Sequence, residues 1–153
     1  MTSNAAQLHD NSAWTKAQPA LSVLIPFLRD DPASLLTLLD REGAALNGQV
    51  ELVLLDDGTA DMALTARLTA QIDALALPAR LITLAANEGR SIGRNRLASA
   101  ARGASLLFLD SDMRPDHDHF LQTWARLTGE QAPAVAFGWL LLVLVLAAAG
   151  YGY

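Results

Sequence analysis

Four short apolar runs, each closed by a polar cluster and separated from the next by a helical stretch, constrain this chain most. They are Leu21 to Phe27, Val50 to Leu55, Arg80 to Leu84 and Ser105 to Leu109. Continuous apolar runs of this length suit strands buried on both faces, as in a parallel sheet. The intervals between them carry helix signals. Asp31-Pro32 can open a helix whose stripe is Leu35, Leu36, Leu38 and Leu39, since Asp caps well and Pro suits the first turn. Met62, Leu64, Leu68, Ile72 and Leu75 share one face of a helix expected over residues 60–75. A third helix is expected from Ser91 to Arg102, with Gly103 as its C-cap, and a fourth from Asp116 to Leu127. Strands alternating with helices define an α/β chain with a mainly parallel sheet and right-handed crossovers.

Ligands of such sheets bind at the carboxyl ends of the strands, and each of those ends is polar here. The first run leads into Pro26 to Asp31, the second into Asp56-Asp57-Gly58-Thr59, the third into Asn87-Glu88-Gly89-Arg90, and the fourth into Asp110-Ser111-Asp112. Two carboxylates one residue apart can turn toward one cleft and share a hard cation with phosphate oxygens. The alternative is a solvated loop capping the helix from Asp116. Asp56-Asp57 permits both turn chemistry and recognition: one aspartate closes the Asp-Gly turn while the other accepts from a base or ribose. The stretch from Asn87 to Asn95 joins a glycine-containing loop to a helix N-terminus bearing arginines. Both features favour phosphate, although Arg90, Arg94 and Arg96 can equally form a solvated face. The glycine spacing matches neither a dinucleotide fingerprint nor a P-loop. His117 and His119 read as exposed or capping residues, since alternate positions at a helix start diverge.

Composition narrows the functions further. A net charge of −5 gives no basic face for nucleic acid. With no cysteine in the chain, disulfides, thiolate nucleophiles and cysteine zinc sites are excluded. Residues 1–19 lack the apolar core of a signal peptide and read as a poorly ordered leader in which Trp14 could dock on the body.

With those residues in place, the chain resembles the N-terminal part of family 2 glycosyltransferases of Rossmann-like GT-A fold. The matching segments are Ser22-Val23-Leu24-Ile25-Pro26, Val53-Leu54-Leu55-Asp56-Asp57-Gly58-Thr59, Asn87-Glu88-Gly89 through Arg94-Asn95, and Leu107-Phe108-Leu109-Asp110-Ser111-Asp112. The resemblance implies a mainly parallel sheet with helices on both faces, forming a nucleotide-sugar-binding domain over residues 20–138. It implies a nucleotide-diphosphate sugar donor, Mn²⁺ or Mg²⁺, and inversion at the anomeric carbon. By that likeness Pro26 lies beside the nucleotide, Asp57 contacts the base, and Arg94 and Asn95 line the donor site. Asp110 corresponds to the carboxylate near the ribose or metal, and Asp112 to a metal ligand. The acceptor, whether glycan, lipid or small molecule, stays open.

The last stretch departs from the family. No acidic residue follows Glu130, so the base expected in the acceptor half has no candidate. Residues 139–153 form an apolar tail with three readings. In order of preference these are the end of a truncated product, a membrane segment, and a core element covering a sheet edge. The expected location is the cytoplasm, with the inner face of the membrane a further option through this tail. Two rival functions remain: a non-catalytic nucleotide-binding or interaction module of the same fold, and a nucleotidyltransferase. The absence of a glycine-rich triphosphate loop after the first strand weighs against the latter.

Overall fold

The computed structural model describes residues 5–115, 118–130 and 145–147. Along the chain run β1 (Gln7–Asp10), a 3₁₀ turn (Trp14–Lys16), β2 (Leu21–Phe27), α1 (Ala33–Gly43) and β3 (Val50–Asp56). They are followed by α2 (Met62–Ala74), β4 (Ala79–Thr83), α3 (Arg90–Ala100), β5 (Ser105–Phe108), α4 (Phe120–Glu130) and β6 (Val145–Ala147). The strands form one sheet in the order β1-β4-β3-β2-β5-β6. Its centre, β4-β3-β2-β5, is parallel, and both edge strands are antiparallel to their neighbours.

This order explains the two layers of helices. The chain steps from β2 to β3 to β4 in one direction, then returns past β2 to lay down β5. Crossovers of constant hand that reverse direction place their helices on opposite faces. Leu36 and Leu39 of α1, Leu68 and Ile72 of α2, and Leu121 and Trp124 of α4 pack with Leu21, Val23 and Ile25 of β2. Leu97 of α3 packs on the other face with Leu24, Val53, Leu55 and Phe108. Alternate residues of β2 thus enter two cores, which is why its sequence is apolar without alternation.

Local chemistry fixes the helix starts. Asp61 accepts from the amides of Ala63 and Leu64 at 2.9 and 3.0 Å, a side-chain N-cap for α2. Asp31 accepts from the Ala33 amide at 3.0 Å. Met62 does not join the expected apolar stripe: at the first position of α2 it is 88% exposed. Gly103 is not a helix cap either. The helix ends at Ala100, and a Cβ on Gly103 would stand 2.7 Å from the Ser22 amide nitrogen. The glycine allows the chain to enter β5 against the backbone of β2.

From residue 7 onward the N-terminal segment departs from the reading of a poorly ordered leader. Residues 7–10 add an antiparallel strand to β4, with Gln7 opposite Thr83 and Asp10 opposite Arg80. Asp10 holds the Arg80 guanidinium at 2.6 and 2.7 Å. Trp14 is buried, with the Arg102 and Arg80 guanidinium groups 3.7 and 4.5 Å from its ring centre. Cation–π contact and apolar burial together hold a segment whose local sequence carries little strand signal. Of the apolar tail, residues 145–147 pair antiparallel with β5, with Val145 opposite Leu107. The rest of 132–153, on which the three readings of the tail depend, lies outside the described residues. Among the described residues no helix is long and apolar enough to cross a membrane.

Candidate functional site

The register brings the carboxyl ends of β2, β3 and β4 level, while β5 ends three residues earlier, beside Leu24. Phe27 lies opposite Asp56, Asp56 opposite Thr83, and Leu24 opposite Phe108. Between β2 and β5 the strand order reverses, opening a crevice where two following segments diverge.

The two aspartates after β3 divide their work. Asp56 is buried and accepts from the Thr59 amide at 2.8 Å, closing the turn. Gly58 in that turn has φ +84, and a Cβ there would come within 2.4 Å of the Ala86 and Asn87 backbone. Asp57 instead faces the loop before α3. It accepts from the amides of Glu88 and Gly89 at 2.8 and 3.1 Å and from Asn87 Nδ2 at 3.2 Å. The carboxylate therefore fixes the loop that leads into the α3 N-terminus.

Arg94 lies one turn into α3. Its guanidinium sits 5.5 Å over the Phe108 ring, and its Nη2 is 3.8 Å from Asp110 Oδ1, beyond hydrogen-bond length. Its Nε–H is buried and has no partner among the described residues. Arg96, two residues on, is paired with Glu88 through two hydrogen bonds of 2.5 and 2.8 Å, which raise its pKa above the usual arginine value. It is a brace for the loop, not a free cation.

After β5 the chain turns sharply, with the Met113 amide donating to the Asp110 carbonyl at 3.1 Å. Asp110 and Asp112 are both exposed on this turn. The Ser111 hydroxyl donates to Asp30 Oδ2 at 2.5 Å, across the crevice. The result is a cleft of about 460 Å³ whose lining includes Pro26, Asp30, Asp57, Asn87, Arg90, Arg94, Asp110, Ser111 and Asp112.

The structure thus brings together five of the six expected donor-site residues, Pro26, Asp57, Arg94, Asp110 and Asp112. Asn95 is not among them. One residue past Arg94 it is rotated by about 100° around α3 and borders a separate hollow with Ala6, Leu8, Ile82 and Ile92. Asp30 is a cleft residue that sequence reasoning passed over, because Asp31 beside it carried the capping signal. Its partner lies 81 residues away, beyond any local pattern.

Asp110 and Asp112 suit Mn²⁺ or Mg²⁺ in donor type and access. Both offer hard carboxylate oxygens, and Asp112 makes no hydrogen bond or ion pair among the described residues. No three acidic, histidine or cysteine side chains gather there into a complete cage among the described residues. His119 is exposed with φ +86, and His117 lies outside the described residues.

The sequence matches the glycosyl transferase family 2 over residues 22–140. A mainly parallel sheet with helices on both faces is the fold of GT-A glycosyltransferases. The chain belongs to glycosyl transferase family 2. Among solved structures it is similar to Staphylococcus aureus TarS residues 1–349 in complex with UDP-GlcNAc, at 25% identity and a TM-score of 0.54, covering 72% of this chain and 31% of that one. It is also similar in fold to the Pyrobaculum calidifontis mannosyltransferase PcManGT in complex with GDP-Man and Mn²⁺, at 20% identity and a TM-score of 0.58, covering 77% and 34%. The chain therefore spans about a third of the length of these structures. No curated protein matches the sequence significantly.

Proposed function

We propose that this chain forms the donor-binding part of a metal-dependent, inverting glycosyltransferase that uses a nucleotide-diphosphate sugar. The observation that carries the proposal is Arg94: a guanidinium whose Nε–H has no partner among the described residues, loosely paired with Asp110 at 3.8 Å in a cleft that Asp112 also lines. A diphosphate supplies what that arrangement lacks. Its oxygens accept from Arg94 and from the region of the α3 N-terminus, and Asp57, in the cleft wall, accepts from the base or ribose. Pro26 forms part of the nucleotide wall. The complexes of TarS with UDP-GlcNAc and of PcManGT with GDP-Man and Mn²⁺ support this assignment.

Asp110 and Asp112 would hold the divalent cation, which when bound supplies charge neutralisation on the leaving diphosphate. In the transfer the acceptor hydroxyl oxygen attacks the anomeric carbon from the face opposite the donor's C–O bond. That bond breaks with its electron pair going to the diphosphate, and the hydroxyl proton passes to a base. A second reading is a nucleotide-binding or interaction module of the same fold without turnover.

Isothermal titration of UDP and of GDP, with and without Mn²⁺, tests the proposal. Metal-dependent binding of one of them is expected; no metal-dependent binding of any nucleoside diphosphate would sink it. Sugar release that is lost in Asp112→Asn would exclude the module reading.

A further inference from the structure

We propose that Asp30 is a positioning residue for the metal-binding turn, acting through Ser111 to hold Asp110 and Asp112 in register with the cleft. The inference rests on the metal-dependent reading above and assigns a role to a residue that the motif does not contain. Ser111 sits between the two carboxylates, and its hydroxyl donates to Asp30 Oδ2. Among the described residues, this is the side-chain hydrogen bond that ties the turn to another part of the fold. The Arg94–Asp110 contact, at 3.8 Å, is too long to do so.

Asp30 can serve as a post because its own loop is fastened on either side. Its Oδ1 accepts from the Asp31 amide at 2.9 Å. The Arg29 amide donates to Thr59 Oγ1 at 2.9 Å, which ties the loop to the turn after β3. Asp31 reaches Arg67 of α2 at 3.0 Å and the first turn of α1. Ligand carboxylates that are themselves placed by outer hydrogen bonds bind metal more tightly, because less freedom is lost on binding. Asp30 also adds a negative charge near the turn, and the position and charge effects are separable by substitution. Ser111→Ala removes the tether and keeps the charge. Asp30→Asn removes the charge but keeps an oxygen that can accept from Ser111.

The test is a Mn²⁺ titration of the full chain with saturating UDP or GDP, read by loss of the free-Mn²⁺ EPR signal. Ser111→Ala and Asp30→Ala should each weaken Mn²⁺ binding by about 10-fold or more. Asp30→Asn and Ser111→Thr, which keep the hydrogen bond, should restore most of it. Tm should stay at the parent value, which a general structural role would not allow. Ser111→Ala binding Mn²⁺ like the parent overturns the proposal, and so does Asp30→Asn failing as badly as Asp30→Ala. If the parent itself shows no metal-dependent binding, the donor-site reading falls and this inference falls with it.

Discussion

The two ends of the parallel strands carry the same kinds of residue, carboxylates and arginines, arranged to opposite effect. At the amino ends, the fully buried Glu51 of β3 accepts from Ser22 Oγ at 2.6 Å and from the Arg102 amide and Nε at 2.7 and 2.8 Å. Arg102 also donates to the Trp14 carbonyl at 2.8 Å while stacking on its ring, and Ser22 Oγ accepts from the Gly103 amide at 2.8 Å. The donors and acceptors in this network face one another. At the carboxyl ends, Asp57 is engaged, but Arg94 Nε has no partner among the described residues and Asp110 and Asp112 face the cleft. Satisfied buried charge holds a fold in one arrangement; unsatisfied charge at a concave site marks where a ligand completes it.

The largest effect should come from breaking the closed end. Glu51→Ala strips a buried network of its central acceptor, and it should cost about 3–5 kcal/mol in urea unfolding. Nucleotide binding by the folded fraction should be unchanged. A loss under about 1 kcal/mol would mean that water replaces the carboxylate there and that the end is not closed.

Asp57 belongs to both worlds and should show it. Asp57→Ala leaves two loop amides and Asn87 without their acceptor, at a cost of about 1–3 kcal/mol, while also weakening UDP or GDP binding. Chemical denaturation and calorimetry on the same variant measure the two losses. Binding lost with full stability retained would show that the loop from Asn87 to Gly89 does not depend on this carboxylate.

How much of this was legible beforehand differs between the same two ends. The strand ends were readable because each has local chemistry: Asp-x-Asp after an apolar run, Asp-Asp-Gly in a turn, arginines at a helix start. The mainly parallel character of the sheet followed from alternation alone; its strand order did not. The amino-end network was not readable, since Trp14 and Arg102 are 88 residues apart and nothing near either announces the other. The edge strand β1 was hidden for the same reason: Gln-Leu-His-Asp is an ordinary polar tetrapeptide until β4 lies beside it. Gly103 was placed correctly as a constrained position but for the wrong constraint, a close backbone approach instead of a helix cap. Local pattern reveals capping and recognition; long-range satisfaction needs the fold.

Arg94→Met should separate the ends most cleanly. It keeps the apolar stem over Phe108 and removes the orphaned Nε–H, so the change in stability should stay within about 0.5 kcal/mol. Binding of UDP or GDP with Mn²⁺ should weaken about 10-fold, the loss of a charged hydrogen bond of about 1.4 kcal/mol. A stability loss without a binding loss would place Arg94 among the structural arginines, with Arg80 and Arg102.

The smallest effect is expected at Asn95, and it is informative because the family resemblance and the geometry disagree there. Sequence likeness puts Asn95 beside Arg94 in the donor site, yet one helical residue carries it about 100° around α3. It is exposed, bordering the hollow formed with Ala6, Leu8 and Ile82 instead of the cleft. A side chain on that face can touch a bound nucleotide only if α3 rotates, which would pull Leu97 from its place among Leu24, Val53 and Phe108. Asn95→Ala should therefore change UDP and GDP affinity by less than about twofold, the size of effect expected for a surface substitution away from a ligand. A loss approaching that of Arg94→Met would show that the helix turns on binding, and the open end of the sheet would then be completed by movement as well as by the ligand.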